Sequence, residues 1–261
     1  MVKDSDGRVV KESKVGKDEG EVLRFLDGTH ASVVMESGYN HQFIRDLLME
    51  KGYEVKVAHP LMVKAIAYAK VKSDKVDVRT LADLLRTDMI PESYVPDQET
   101  RDLRDLVRRR HYLVQTRSTF KSKMHVEIAK RWIKKHQGDL FTEAGRSYLR
   151  SLNIDAVDDY LDTIKFLDDK IRELDQKVRT MAEHDKYAKL LVTIPGVSFY
   201  STLLISGEIA DVNRFPDHEH LCSYSGLAPG IRQSADKSHT TPSRMRNATL
   251  SWIMIVHTRT R

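Results

Sequence analysis

Between residues 157 and 181, apolar side chains recur at Val157, Tyr160, Ile164, Leu167, Ile171, Leu174, Val178 and Met181, in steps of 3, 4, 3, 4, 3, 4 and 3. A stripe of that period, held for more than three heptads, is buried most simply by a second helix laid along it. It predicts a long helix in an antiparallel hairpin or coiled coil. The preceding stretch supplies the partner: Leu103, Leu106, Leu113, Phe120 and Met124 keep the same rhythm, interrupted by Arg110 and Arg117. With no strand signal between 98 and 187, the region reads as a helical hairpin whose apolar stripes are packing surfaces.

Residues 1–97 read differently, as α/β. Asp4-Ser5-Asp6-Gly7 is a turn signal, and Arg8 to Val15 is one strand of the hairpin it closes. A helix fits 18–26, and a short buried strand fits 31–35 with its adjacent valines. A helix from 40 to 51 carries Phe43, Ile44, Leu47 and Leu48 on its apolar side and stops at Gly52. Another strand runs from Tyr53 to Ala58, closed by Pro60. Strand, helix, strand at this spacing predicts a βαβ unit with parallel strands and a right-handed crossover. A helix from Ser73 to about Arg86 follows, then a linker marked by Pro91 and Pro96.

The remaining residues, 188–261, read as a small, mostly helical domain. In LLVTIPGVSFYSTLLISGEI, an apolar helix end, Ile-Pro-Gly-Val and a second apolar helix resemble a helix-hairpin-helix turn. There Gly196 permits close backbone approach, and exposed amides can meet a DNA phosphate. An ordinary turn between two core helices explains the same residues. The last apolar run, NATLSWIMIV, is a helix that docks back on the domain. The expected architecture is thus α/β plus α, with boundaries at 1–97, 98–187 and 188–261.

Composition excludes several classes. No apolar run approaches the roughly 18 residues needed to span a bilayer. The opening MVKDSDGRVVKES has no apolar core of a secretory signal. A single cysteine, Cys222, allows neither an internal disulfide nor a cysteine zinc cluster. The expected setting is a reducing cytoplasm.

The net charge of +5 is mild, but its distribution is uneven. Residues 101–135 hold twelve Lys and Arg against Asp102, Asp105 and Glu127, and the tail from Arg232 holds six against Asp236. Segregated positive charge attracts phosphate backbones through counterion release. On the first long helix the candidates are Arg108, Arg109, Arg110, Arg117, Lys121 and Lys123.

Candidate chemistry centres on carboxylates. Glu36 falls at the carboxyl end of a predicted strand, where open α/β sheets project functional groups. Asp74 and Asp77, three apart at the start of a helix, share one side of it. Carboxylates converging from a strand end and a helix can hold Mg²⁺ for phosphodiester chemistry. Helix capping and ordinary solvation account for the same three residues, and spacing alone favours that account. Ser234, in GLAPGIRQSADKS, lies in a Gly/Pro-rich turn between Arg232 and Lys237, cations placed to bind phosphate. Serine is a competent nucleophile when activated, and also an ordinary turn residue.

Taken in order, VVMESGYN, KSDKVDVRTLADLLR, IPGVSFYSTLLISGEI with its following Arg-Phe, and YSGLAPGIRQSADK resemble the IS110/IS1111 class of insertion-sequence transposases. The resemblance runs along nearly the whole chain. It implies a RuvC-like (RNase H-like) N-terminal domain with a D-E-D-D carboxylate set and a C-terminal domain bearing a nucleophilic serine. By position, Glu36, Asp74 and Asp77 are three of the carboxylates and metal ligands. Ser234 is the serine, preceded by Gln233, with Ala235 where glycine is usual. The resemblance further implies Mg²⁺, a DNA substrate, a structured non-coding guide RNA, and a homo-oligomer whose composite site forms across protomers.

The family's first aspartate sits on an N-terminal strand that has no counterpart here, since this sequence opens at the following hairpin. The expectation is therefore a chain short of that strand, as in a truncated or decayed copy or one with a start codon placed too late. The alternatives to a working transposase are a remnant that only binds nucleic acid and a RuvC-like structure-specific nuclease, the latter leaving the serine motif unexplained.

Overall fold

The Asp4–Gly7 turn joins β1 (Val2–Lys3) to β2 (Val9–Lys11) in an antiparallel pair, with Gly7 at φ +85°. The strand is shorter than the sequence pattern predicts: its last pair is Lys11 opposite Val2, and Glu12 beyond it meets Lys75, 2.9 Å away. The computed structural model describes residues 1–261 apart from 17, 68–72, 134–137, 235, 236, 243–245 and 259–261, and the backbone alone of 229–234, 237–242, 257 and 258. The chain forms two units, Met1–Val95 and Pro96–Arg261, of mixed α/β and mostly helical structure.

In the first unit α1 (Glu19–Leu26) starts at Asp18, whose carboxylate accepts from the Glu21 amide. β3 (Val33–Glu36), α2 (His41–Glu50) and β4 (Val55–Ala58) make the predicted strand–helix–strand unit. β3 and β4 are parallel, with Val33 opposite Val55 and Glu36 opposite Ala58. Among the described residues they form a two-stranded sheet separate from β1–β2. Two details depart from the pattern. β3 is half-buried rather than buried, since β4 with Val57 and Ala58 takes the interior place. Phe43 points to solvent, leaving Leu47 and Leu48 as the buried face of α2.

Pro60 both closes β4 and opens a helix that periodicity did not reveal, α3 (Pro60–Ile66); proline suits a first helical turn, where no amide is needed. α4 (Asp74–Arg86) is capped by Ser73, whose hydroxyl accepts from the Val76 amide, and packs against β3. The β1–β2 hairpin is tied to α4 by Lys3–Asp83 at 2.5 Å and Glu12–Lys75. Among the described residues of this unit, Leu26, Leu47, Leu48, Val57, Ala58 and Leu84 are the buried apolar ones.

The second unit is built on the predicted hairpin. α5 (Gln98–Lys130) and α7 (Asp155–His184) are joined through α6 (Glu143–Ser151). Arg110 meets Asp175 and Arg117 meets Asp168, so a step of seven forward on α5 is a step of seven back on α7. The helices are antiparallel. Buried on α7 are Val157, Leu161, Ile164, Leu167, Ile171, Leu174, Val178 and Ala182. The heptad reading is therefore right at six positions and one residue out at two. Tyr160 yields to Leu161, which joins Leu149 of α6 in the core, while Tyr160 sits beside Phe120 with ring centroids 5.7 Å apart. Met181 yields to Ala182, the drift of a 3.6-residue helix against a 3.5-residue repeat.

α8 (Lys186–Leu191) and α9 (Phe199–Ile209) follow, then a 3₁₀ turn Val212–Arg214 and α10 (His218–Tyr224). β5 (Pro229–Ser234) and β6 (Lys237–Pro242) form an antiparallel hairpin, and α11 (Ala248–Thr258) ends the unit. The sequence pattern predicts only a turn where this hairpin stands. The C-terminal helices share one core with the long hairpin rather than forming a separate body: Val107 and Val178 are buried with Leu203, Leu204, Leu250 and Ile253. A second core lies where α6 crosses, around Met124, Leu149, Val157 and Ile164. No helix among the described residues is long and apolar enough to cross a membrane.

Candidate functional site

Glu36 is the last residue of β3 and is exposed. Asp74 and Asp77 occupy the first turn of α4, Asp74 exposed and Asp77 half-buried. The capping work that could have explained Asp74 is done by Ser73. None of the three carboxylates has a hydrogen-bond or ion-pair partner among the described residues, whereas Asp83, Asp88 and Glu92 nearby are all paired with lysines. Their oxygens are the hard donors a divalent cation takes. The geometry, however, does not gather them: among the described residues no group of three His, Cys, Asp or Glu side chains could hold a metal ion. As placed, these residues do not make up a metal site.

Sequence reasoning missed the polar edge of β4. His59 follows Ala58, the residue opposite Glu36, and its amide donates to the Pro91 carbonyl at 2.8 Å. Its ring Nδ1 is buried with no hydrogen-bond partner among the described residues. Lys56, on the same strand, is held well above the usual lysine range by hydrogen bonds to Asp88 and Glu92, at 2.8 and 3.2 Å. No spacing rule picks out a histidine before a proline.

In the second unit Ser234 ends β5 and pairs with Lys237, the first residue of β6, so it stands at the tip of the hairpin. Arg232 lies two residues back, opposite His239. Ala235 and the connecting Asp236 fall outside the described residues. Two helices do flank Gly196: α8 and α9 pack together, Gly196 has φ +87°, and Val197 donates to the Ile194 carbonyl at 3.0 Å. Thr193 to Gly196 are exposed, and Ser198 caps α9 through the Ser201 amide.

The cations of α5 fall into two groups. Arg108, Arg110 and Arg117 are not an outward basic face; their guanidiniums are committed to carboxylates of the same unit. Arg108 makes two 2.6 Å hydrogen bonds to Glu208, which is wholly buried in α9. Arg110 binds Asp175 at 2.9 Å and lies 4.2 Å over the Tyr200 ring, and burial pushes that tyrosine up to about 12. Asp168 accepts from both Arg117 and Arg146, at 2.8 and 2.7 Å. Burial raises its pKa, but the two arginines win and hold it below the usual carboxylate range. Lys121 lies 4.2 Å over Phe141, its pKa lowered by burial and then by Arg117. Arg109 and Lys123 remain exposed and without acidic partners among the described residues, Lys123 lying 5.7 Å from the Phe120 ring.

Glu208 anchors a network that the sequence did not announce. Asn247 donates from Nδ2 to its carboxylate at 2.7 Å and to the Tyr224 hydroxyl oxygen at 2.9 Å, and its Oδ1 accepts from the Leu250 amide. Arg104 donates to the Gly207 and Glu208 carbonyls at 2.6 and 3.0 Å, closing the end of α9. α5, α9, α10 and α11 meet in these bonds.

Two family models match the chain. One, described as Transposase and named for a DEDD transposase of IS110, covers residues 1–128 and so contains Glu36, Asp74 and Asp77. The other, described as Transposase IS116/IS110/IS902 family, covers 188–261 and contains Gly196 and Ser234. Among relatives, a Sinorhizobium fredii (strain NBRC 101917 / NGR234) protein named "Putative transposase y4qE" is 25% identical over 214 residues, 79% of this chain and 52% of its own. Pilin gene-inverting proteins of Moraxella bovis and Moraxella lacunata are each 32% identical over 112 residues, 41% of this chain and 34% of theirs. The chain thus spans about half the length of the first relative and about a third of the others. With both transposase models on one chain in the order its motifs predict, the protein belongs to the IS116/IS110/IS902 family of transposases.

Proposed function

We propose that the protein is a DNA transposase or recombinase that cuts and rejoins DNA strands. The observation that carries this reading is the pair of transposase matches on one chain, the first holding carboxylates with no partner of their own and the second holding Ser234. In the reaction the Ser234 hydroxyl attacks a DNA phosphodiester. A serine O–P bond forms as the P–O bond to the sugar breaks, the serine proton leaves, and the released sugar oxygen takes one up. Arg232 and Lys237, on the same hairpin, supply positive charge for the phosphate, and the Gly196 turn supplies backbone amides to the DNA strand.

Glu36, Asp74 and Asp77 are the residues that would hold the divalent ion, Mg²⁺, implied by the family resemblance. Among the described residues the three are not gathered. A guide RNA and a homo-oligomer with a site composed across protomers, in a RuvC-like N-terminal fold, complete the reading. The same unassembled carboxylates favour a second reading, a nucleic-acid-binding chain without strand transfer.

A strand-joining assay separates them. Purified protein is incubated with donor and target plasmids, RNA transcribed from the element ends, and Mg²⁺, and junctions are read by sequencing. Junctions formed by the natural chain and lost in Ser234→Ala and Asp77→Asn support the transposase. Binding to both DNAs with no junctions supports the second reading, and junctions that survive both substitutions sink the assigned roles.

A further inference from the structure

α2, α4, α5, α6 and α10 each end on a residue in left-handed backbone conformation: Gly52 (φ +84°), Asp88 (+53°), Trp132 (+54°), Asn153 (+50°) and Gly226 (+71°). On α5 the closing bonds run from the Trp132 amide to the Ala129 carbonyl, 3.1 Å, and from Ile133 to Ile128, 3.4 Å. α10 closes in the same pattern, Gly226 to Ser223 and Leu227 to Cys222. Glycine, asparagine and aspartate reach this conformation cheaply; a bulky aromatic residue does not. The packing that accompanies such a stop is supplied by Ile133, which joins the Met124–Ile128 core. Trp132 itself buries nothing, being 95% exposed. Neither backbone nor core calls for an indole at this position.

Its surroundings are positive. Lys130 and Arg131 share one carboxylate, Glu127, at 2.8 and 2.7 Å, and in the sequence Lys134 and Lys135 follow. We propose that Trp132 is a stacking platform for an unpaired nucleobase, with Lys130 and Arg131 drawing in the phosphates of that strand. Every base offers a π-face, so such a platform is tolerant of sequence, and the base must be unpaired because duplex faces are already stacked. Two copies meeting apex to apex would set like charges together. A membrane contact would want apolar neighbours, and Ile133 is turned inward. Trp132 lies outside both segments matched by the transposase models, so the inference goes beyond the reaction proposed above.

The chain has two tryptophans, so Trp252→Phe leaves Trp132 as the sole indole emitter. Single-stranded oligo-dT, oligo-U RNA and a blunt duplex are titrated without Mg²⁺, following emission together with anisotropy of a labelled strand. Quenching by either single strand, well beyond that by the duplex, is the expected result, and the stronger arm tells DNA from RNA. Trp132→Gly should keep or raise the melting temperature, because glycine suits the conformation, yet weaken single-strand binding by roughly ten-fold. Trp132→Tyr should restore most of it. Binding without quenching, no binding of either strand, or undiminished affinity in Trp132→Gly overturns the proposal. A change of sedimentation in Trp132→Gly, or an emission response to anionic vesicles matching that to oligonucleotides, reassigns the surface and overturns it too. Since the titration needs neither the carboxylates nor Ser234, its failure leaves the strand-transfer reading standing.

Discussion

Arg108 on α5 and Glu208 on α9 are a hundred residues apart and meet fork to fork, Nε and Nη2 each donating to one carboxylate oxygen at 2.6 Å. Glu208 is wholly buried while Arg108 keeps half its side chain in solvent, so the carboxylate has the more to lose. Arg108→Ala strands a buried anion and should cost about 3–5 kcal/mol of unfolding free energy. Urea denaturation followed by helical circular dichroism measures it. A loss under about 1 kcal/mol would mean that Asn247 alone satisfies the carboxylate.

The same pair sets an acid limit. Burial raises the Glu208 pKa, but hydrogen bonds from Arg108 and Asn247 outweigh it, and the folded value lies below 4.5. A carboxyl lowered on folding stabilises fully above its unfolded value, and that contribution disappears as pH falls through the folded one. The urea midpoint should therefore drop below about pH 4.5, more gently in Glu208→Gln. Asp168, also lowered, leaves part of the slope in place. An acid limb identical in the variant would show that Glu208 is not its source.

The cations of α5 should separate into two classes. Arg110→Ala and Arg117→Ala should lower the melting temperature and leave the salt dependence of DNA binding unchanged. Arg109→Ala and Lys123→Ala should leave stability alone, each removing roughly 0.9 from the slope of log K against log salt on duplex DNA. The reverse assignment would place Asp168 and Asp175 in competition with phosphate.

Core truncations on α7 discriminate the observed seam from the heptad ideal. Ile164→Ala, at a fully buried position, should cost about 2–5 kcal/mol. Met181→Ala, at a position 38% exposed, should cost under about 1 kcal/mol. Equal losses would restore Met181 to the core.

Gly145, in the first turn of α6, has no room for a methyl group: a Cβ there would lie 2.5 Å from the Asp139 carbonyl oxygen and the Leu140 carbonyl carbon. Those are main-chain atoms that cannot rotate aside. Gly145→Ala should cost about 1–3 kcal/mol, visible as a lower thermal midpoint.

The long hairpin was legible because burial along a helix leaves a period in the sequence. Val157, Ile164 and Leu174 announce the seam on their own. Leu161 and Ala182 are buried by α6 and by the C-terminal helices, neighbours set by tertiary packing that no local repeat encodes. The βαβ unit and the caps Asp18 and Ser73 were readable for the same reason, each resting on contacts a few residues long. The β5–β6 hairpin was not, since Pro229–Ser234 offers no alternation of apolar and polar residues.

The candidate carboxylates were placed by motif and lie at a strand end and a helix start, as expected. Whether they converge depends on tertiary approach, which spacing does not carry. The charge pattern has a second physical origin inside the fold. α5 holds nine basic and four acidic residues, and α7 nine acidic and five basic. A sequence shows such segregation as a basic patch, whereas across an antiparallel pair it is complementarity, with Arg110 and Arg117 finding Asp175 and Asp168.

That complementarity has a timetable. Arg117 waits 51 residues for Asp168, Arg110 waits 65 for Asp175, and Arg108 waits 100 for Glu208. At roughly 5–20 residues per second of synthesis, the last interval is on the order of 5–20 seconds. For its last third only Arg108 still lacks its carboxylate, since Asp168 and Asp175 have by then been made. The ion pairs of the mature fold are thus open charges during synthesis, and their partners arrive in the order Asp168, Asp175, Glu208.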